Sequence, residues 1–370
     1  MRRRRDLLPT RDRRSHRPTH RPRAILDPTI GGAPRRSSLP VKVVALIPAH
    51  NEGDNIARTV RTLQDQSRRP DRIVVAADKC TDNTGEEALA AGAEVIATLD
   101  NTGRKAGALN QALAFIDGDG DIIVQTDGDV VLSPKFVEVA IRELVENRQI
   151  AAVGAMAQVW EEPGLLNLHQ RLGFEYFSHL ERGRGLRPHV LDGKAVAVRR
   201  QALDQLGPMP WNEGSLIEDF NLGREFVRRG WKTKRCSEWV TGEPKHTVRE
   251  LWVQHLRWLG GTLAELRKYG LRRWTLRPIL ENLQEGVGIV LFVGFLMSIA
   301  LGNPVCWWLT AIWVPIALVQ SLTYIWRLGW KARLFTVLLF PELIMSYVLW
   351  KGPWLVGLWR TIRRKEMAWE

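Results

Sequence analysis

Cysteine is scarce: Cys80, Cys236 and Cys306 are the only three in 370 residues. Three scattered thiols make neither a disulfide framework nor a zinc site, and a reducing compartment suits them best. The sequence contains no GxGxxG and no Walker A pattern, so neither common nucleotide loop supplies a phosphate grip. His50, His179 and His246 are not at ligand spacing and read as structural. No internal repeat is present. The N-terminus has no apolar run, so neither a signal peptide nor a first membrane span is expected there.

What is present is unevenly distributed. The formal charge is +13, and residues 1–40 hold twelve arginines against three aspartates, a net +9. With six prolines and almost no apolar run, this arm lacks the burial needed to offset the entropy of ordering. A disordered basic arm over 1–38 is therefore expected. Anionic membrane lipids are the favoured partner, with a solvated tail close behind; nucleic acid is not expected.

The last third is apolar. Residues 286–302 carry no charge and have the length of a minimal span. Residues 304–326 are longer, also uncharged, with tryptophans near both ends, where an indole suits the headgroup region. Lys268, Arg272, Arg273 and Arg277 precede this hairpin, and Arg327, Lys331 and Arg333 follow it. That bias places both flanks, the N-terminus and the preceding domain in the cytoplasm of a multi-pass membrane protein. A third run, 334–350, is broken by Pro341 and Glu342. It reads as re-entrant or interfacial rather than as a full span.

Between 41 and 160 the pattern alternates. Apolar runs at Val41–Ile47, Ile73–Ala77, Glu94–Thr98 and Ile122–Thr126 read as strands. Helical spacing at 53–66, 84–91 and 105–116 separates them. Such units predict a mostly parallel α/β sheet flanked by helices, with ligands at the carboxyl ends of the strands. Asp78 follows the second strand and Asp127-Gly128-Asp129 the fourth, so both belong to one rim. The expected domains are 1–38, 39–245, 246–282 and 283–370: basic arm, catalytic domain, interfacial helices and membrane region.

Several weak signals carry chemistry. Asp127 and Asp129 flank a glycine at a strand end, a place from which two carboxylates can meet a hard divalent cation, Mn2+ or Mg2+. Gly103-Arg104-Lys105-Ala106-Gly107 is the nearest thing to a phosphate loop, its glycines allowing close approach and its cations able to face a diphosphate. A plain turn before a helix is the competing reading. Glu218-Asp219 opens a helical run, Leu216–Arg229, where one carboxylate suits a general base or simply complements the helix dipole. Asp219, being shorter, is preferred as the base. Thr247-Val248-Arg249-Glu250 reads as a capping box. The helix it opens sets Gln254, Arg257 and Trp258 on one face, with His255 pointing elsewhere. An arginine there can grip phosphate and the indole can meet a sugar ring. A basic amphipathic interfacial helix is the plainer alternative.

These residues, taken in order, resemble the family-2 inverting glycosyltransferases of the membrane-associated kind, related in motifs to synthases of cellulose, hyaluronan and poly-N-acetylglucosamine. The resemblance covers residues 41–265. It includes Ile47-Pro48-Ala49-His50-Asn51-Glu52, Asp78-Lys79-Cys80-Thr81-Asp82, Gly103–Asn110, Asp127-Gly128-Asp129, Glu218-Asp219 and the QxxRW pattern. It implies a GT-A-like sheet, followed by interfacial helices and a C-terminal transmembrane hairpin, and a UDP-sugar donor. By resemblance Pro48, Asn51 and Glu52 line the nucleotide site, Asp78 contacts the base and Lys105 lies near the nucleotide. Asp127 would stand beside ribose and diphosphate, Asp129 would ligate the metal, and Asp219 would be the base. Gln254, Arg257 and Trp258 would hold the diphosphate and the acceptor end. The usual DDGSTD segment reads Ala77–Asp82 here, one acid short. Too few spans follow to enclose a polymer channel in one subunit. Transfer of one or a few sugars to a lipid-linked, glycan or protein acceptor is therefore expected, with a processive synthase, working as a homo-oligomer, as runner-up. A nucleotidyl transferase on the same metal site, or a basic non-enzymatic adaptor, are the rivals.

Overall fold

The computed structural model describes residues 41–182, 191–270 and 347–363, with scattered positions between 279 and 302. Its centre is an eight-stranded sheet in the order β3-β2-β1-β4-β7-β6-β8-β5. The first half is β1 (Val43–Ala49), β2 (Arg72–Ala77), β3 (Glu94–Ala97) and β4 (Ile122–Thr126), all parallel. Helices α1 (Ile56–Gln64), α2 (Thr84–Ala90) and α3 (Arg104–Phe115) connect them. Each expected strand and helix of this half is found within a few residues.

β1 is buried along its whole length, and its alternation shows why it is continuously apolar. Val43, Ala45 and Ile47 pack in one cluster with Ile56, Val60 and Leu63 of α1 and with Phe136 and Leu144 of α4 (Phe136–Glu146). Val44 and Leu46 face the other way, among Leu109 and Leu113 of α3 and Leu222 and Phe226 of α7 (Glu218–Arg228). A strand covered on both faces has no polar side to offer. β1 was expected to stop before Pro48, yet it continues through Ala49. Its pairing with β4 ends at Leu46, while Pro48 still pairs with Ala76 of β2. Proline, lacking N–H, is tolerated where the strand has a neighbour on one side only.

The second half is mixed. It comprises β5 (Val130–Leu132), β6 (Ile150–Val159), β7 (Ala195–Arg199) and β8 (Lys232–Gly242). β6 and β8 are parallel, but β7 runs antiparallel to β4 and β6, and β5 antiparallel to β8. Helices α5 (Leu165–Arg182) and α6 (Arg200–Asp204) flank β7. Three residues join β4 to β5, yet β7, β6 and β8 lie between them in the sheet. Four steps across a flat sheet cover about 19 Å, whereas the chain from Thr126 to Val130 reaches at most about 14 Å. The sheet must curl, and Asp127-Gly128-Asp129 bridges the mouth of the curl.

Helix α8 (Val248–Tyr269) begins at Thr247, whose side chain accepts from the Glu250 N–H at 3.1 Å, while Glu250 reaches back to the His246 N–H at 3.2 Å. The capping box is present, its return bond shifted by one residue. A π-helical turn at Tyr347–Lys351 leads into α9 (Gly352–Ile362). Packing of α9 on α8 depends on glycine: a Cβ at Gly357 would come 2.8 Å from the Gly260 Cα. The spans expected at 286–302, 304–326 and 334–350 lie mostly outside the described residues. Among the described residues no helix is long and apolar enough to cross a membrane.

Candidate active site

The order β3-β2-β1-β4 reverses direction between β1 and β4, the place where open α/β sheets bind ligands. Asn51 and Glu52 follow β1 there, and Asp127 follows β4. Asn51 adopts φ 55°, and its Oδ1 accepts from the Thr81 N–H at 2.8 Å. This ties the loop after β1 to the loop after β2. Asp78, at the end of β2, is buried; its carboxylate accepts from the Thr98 hydroxyl at 2.6 Å and its N–H donates to Ala49 O at 2.7 Å. Pro48 is buried in β1 beside it. These four residues form one side of the rim.

The Asp127-Gly128-Asp129 turn is held from below by Thr59 of α1, a buried hydroxyl that accepts from the Val130 N–H and lies 2.9 Å from Gly128 O. Gly128 admits Glu52: a Cβ there would meet the Glu52 Cγ at 3.3 Å. Burial and the charge of Asp129 push Glu52 up to about 7. Asp129 and Glu52 thus stand close enough for the charge of one to act on the other. Among the described residues no three His, Cys, Asp or Glu side chains cluster tightly enough to hold a metal alone. The donor set suits an ion completed by oxygens from a substrate.

Lys105, from the first turn of α3, joins distant segments. Its ammonium lies 2.6 Å from Asp127 and 3.0 Å from Glu218, and donates to Gly193 O at 3.2 Å. Burial opposes its charge, but Asp127, Glu218 and Asp219 together outweigh that and raise its pKa. Asp127 is raised by burial despite Lys105. Glu218 is lowered: burial works against its charge, yet Lys105 prevails, with help from Arg257. Asp219 is pushed up to about 7 by burial and by Glu218, against Lys105. Its Oδ2 accepts from the Gly193 N–H at 2.8 Å and its Oδ1 from the Phe220 N–H at 2.7 Å.

Acids some ninety positions apart therefore share one lysine. The QxxRW helix meets the same corner. Arg257 acts electrostatically on Glu218, and Trp258 packs on the small cluster of Ile217 and Phe220 that brackets Glu218 and Asp219. Gln254 is half-buried one turn earlier on α8.

The glycines of 103–107 do not cradle phosphate. A Cβ at Gly103 would strike the Glu213 side chain at 2.6 Å, and one at Gly107 would overlap the amide of Asn101. Both accommodate protein side chains, so of this segment it is Lys105 that faces the site. His255, read from sequence as pointing elsewhere, is buried and makes a 2.6 Å hydrogen bond to Leu349 O. Burial lowers it to about 4. Its ring stands 4.8 Å from Trp350 and 5.7 Å from Trp258, so the α9 segment braces the QxxRW face.

Sequence reading also missed the Asp192-Gly193-Lys194 turn. It precedes β7, and only the antiparallel pairing Thr126↔Ala195 brings the start of that strand to the rim where β4 ends. The glycine before an apolar run was a signal, but strand direction was not. Behind it, the Trp211 indole donates to Gln125 at 2.8 Å, and Gln125 donates to Gly193 O at 3.3 Å. Asn110 holds Trp211 by both backbone bonds.

Comparison with known proteins agrees with this arrangement. Residues 44–207 match Glycosyl transferase family 2. A probable glycosyltransferase of Bacillus subtilis, YdaM, is 26% identical over 242 residues, 62% of this chain and 57% of that protein. A beta-monoglucosyldiacylglycerol synthase of Trichormus variabilis is 29% identical over 189 residues, 49% of this chain and 37% of the relative. The chain thus spans about half the length of these relatives, or less. Mannosyltransferase PcManGT from Pyrobaculum calidifontis, solved with GDP-Man and Mn2+, superposes with a TM-score of 0.56 at 18% identity, over 89% of each chain. That likeness shows the fold, which is GT-A-like. Residues 44–207 thus carry a glycosyl transferase family 2 domain.

Proposed function

We propose that the chain is an inverting, metal-dependent glycosyltransferase that moves a sugar from a UDP-sugar to an acceptor hydroxyl at the cytoplasmic face of a membrane. The observation that carries this is the convergence of Asp127, Glu218 and Asp219 on Lys105 beside Arg257. Asp219 is the general base. A carboxyl poised near neutrality accepts a proton better than one at the usual carboxylate range, and two N–H donors fix its direction. It takes the proton of the acceptor hydroxyl, whose oxygen attacks the anomeric carbon as the bond to the diphosphate breaks on the opposite face. One displacement inverts the configuration. Mn2+ or Mg2+, held by Asp129 with Asp127 and Glu52 nearby, supplies positive charge to the leaving diphosphate when bound. Arg257 and Gln254 take phosphate oxygens, Trp258 faces the acceptor, and Pro48, Asn51, Glu52 and Asp78 line the nucleoside.

The membrane reading has separate support. Leu280, Leu283, Val287, Val290, Val293 and Met297 occupy helical positions, recur at intervals of three and four, and are all exposed. Leu355, Trp359 and Ile362 form a second exposed apolar face on α9. Such stripes in water are costly and suit lipid. The beta-monoglucosyldiacylglycerol synthase among the relatives favours a lipid-linked acceptor, to which the chain adds one or a few sugars. Donor screening with the full chain in lipid vesicles and manganese tests the whole reading. Consumption of a UDP-sugar with an inverted product of one or a few added sugars is expected. Retained configuration, or a donor other than a UDP-sugar, contradicts it.

A further inference from the structure

The backbone of Asp192-Gly193-Lys194 is pinned into the active centre. Besides the Gly193 bonds to Asp219, Lys105 and Gln125, the Lys194 carbonyl accepts from the Thr126 hydroxyl at 2.8 Å and the Asp127 N–H at 3.1 Å. The Cα of Lys194 is therefore fixed between the acids after β4 and the acid that opens α7. Its ammonium, unlike that of Lys105, makes no ion pair among the described residues. It sits 4.8 Å from the centre of the Phe174 ring of α5. It also lies against Gly242, where a Cβ would come 3.2 Å from Nζ. Gly242 pairs with Val130, the residue after Asp129. Phe174 in turn meets Trp258 edge-on, with centroids 6.2 Å apart.

The cation thus stands between the Asp127-Gly128-Asp129 turn and the QxxRW face. The nearby carboxylates Asp127 and Glu218 are already held by Lys105. A ring beneath an ammonium attracts it without consuming its three hydrogens, which stay available to an anion. We propose that Lys194 is an anion-binding group of the active centre and holds phosphate oxygens. These come either from the leaving diphosphate of the donor or from a phosphate carried by the acceptor beside its reacting hydroxyl. The inference rests on the reading of this rim as the donor-diphosphate site.

The test uses the full chain in detergent with manganese, by calorimetry on wild type, Lys194→Met and Lys194→Arg. UDP-glucose and GDP-mannose are titrated into wild type first. The nucleotide that binds settles the donor reading, and the variants then report on Lys194 with that nucleotide. Loss of a charge-assisted bond weakens binding by about tenfold or more. If the leaving diphosphate is the ligand, Lys194→Met weakens the nucleoside diphosphate by that factor and leaves the bare nucleoside unchanged. If the acceptor phosphate is the ligand, nucleotide binding is unchanged. Glycerol 1-phosphate titrated into the nucleotide-saturated protein then loses affinity by the same factor. Lys194→Arg keeps most of the affinity in either case. Lys194→Gln serves the same purpose should the methionine variant unfold. Unchanged affinity for both phosphate probes overturns the proposal and leaves Lys194 as packing on Phe174.

Discussion

Replacing Asp219 by Asn should move activity and stability in opposite directions. The folded protein raises the Asp219 carboxyl from 3.8 to about 7, through burial and the charge of Glu218. An acid raised in the folded state binds its proton more tightly folded than unfolded. Its ionisation therefore costs stability progressively as pH rises from about 4, and in full above about 7. Three pH units at about 1.4 kcal/mol each set a ceiling of about 4 kcal/mol. Partial exposure of the carboxylate to solvent reduces this to on the order of 1–2 kcal/mol. Asparagine keeps an oxygen for the Gly193 N–H but carries no charge. Without added metal, Asp219→Asn should melt a few degrees higher than wild type at pH 8, with the gain shrinking as pH falls toward 4. Turnover should fall by about 10²–10⁴, the usual contribution of a positioned base, with donor affinity unchanged. Turnover within about threefold of wild type would refute the assignment of the base. A lower melting temperature at pH 8 would refute the electrostatic reasoning, whatever the kinetics.

Other outcomes follow from the same geometry. The pH profile of kcat/KM should lose activity with a slope of one as pH drops below about 7, because a protonated Asp219 cannot accept the acceptor's proton; a profile flat from pH 5 to 8 contradicts this. Lys105→Met leaves Asp127 and Glu218 without their shared cation. A loss of about 3 kcal/mol is expected by denaturant titration at pH 8, shrinking as pH falls and the uncompensated carboxyls take up protons. Gly357→Leu forces α9 away from the Gly260 backbone. Overpacking of this kind costs about 1–3 kcal/mol. Because His255 links the α9 segment to Trp258, KM for the acceptor should rise with little change in donor affinity.

The first half of the fold was legible because its central strands β1, β2 and β4 are covered on both faces, giving unbroken apolar runs set apart from the helical spacing between them. Val43–Ala49 and Ile122–Thr126 stand out as unbroken apolar runs, and the acids after them fall at strand ends. The second half was not legible in the same way. β7 joins the sheet antiparallel, so residues before a strand, rather than after it, reach the rim. Gly103 and Gly107 misled for a related reason: a glycine signals close approach but not what approaches, which here is Glu213 and Asn101. His255 could not be placed from helix spacing because its partner, Leu349, lies 94 positions away. The motif residues Asp127, Glu218, Asp219 and Arg257 were recognisable singly, but Lys105 as the group that draws the three acids together follows only from three-dimensional packing.

A structure of the full chain with manganese and UDP tests the central claim most directly. Manganese within about 2.1 Å of an Asp129 oxygen, the diphosphate between that ion and Arg257, and Asp219 facing the open side of the site are expected. A diphosphate bound away from Asp129, with Asp219 and Arg257 facing a different cavity, would contradict it.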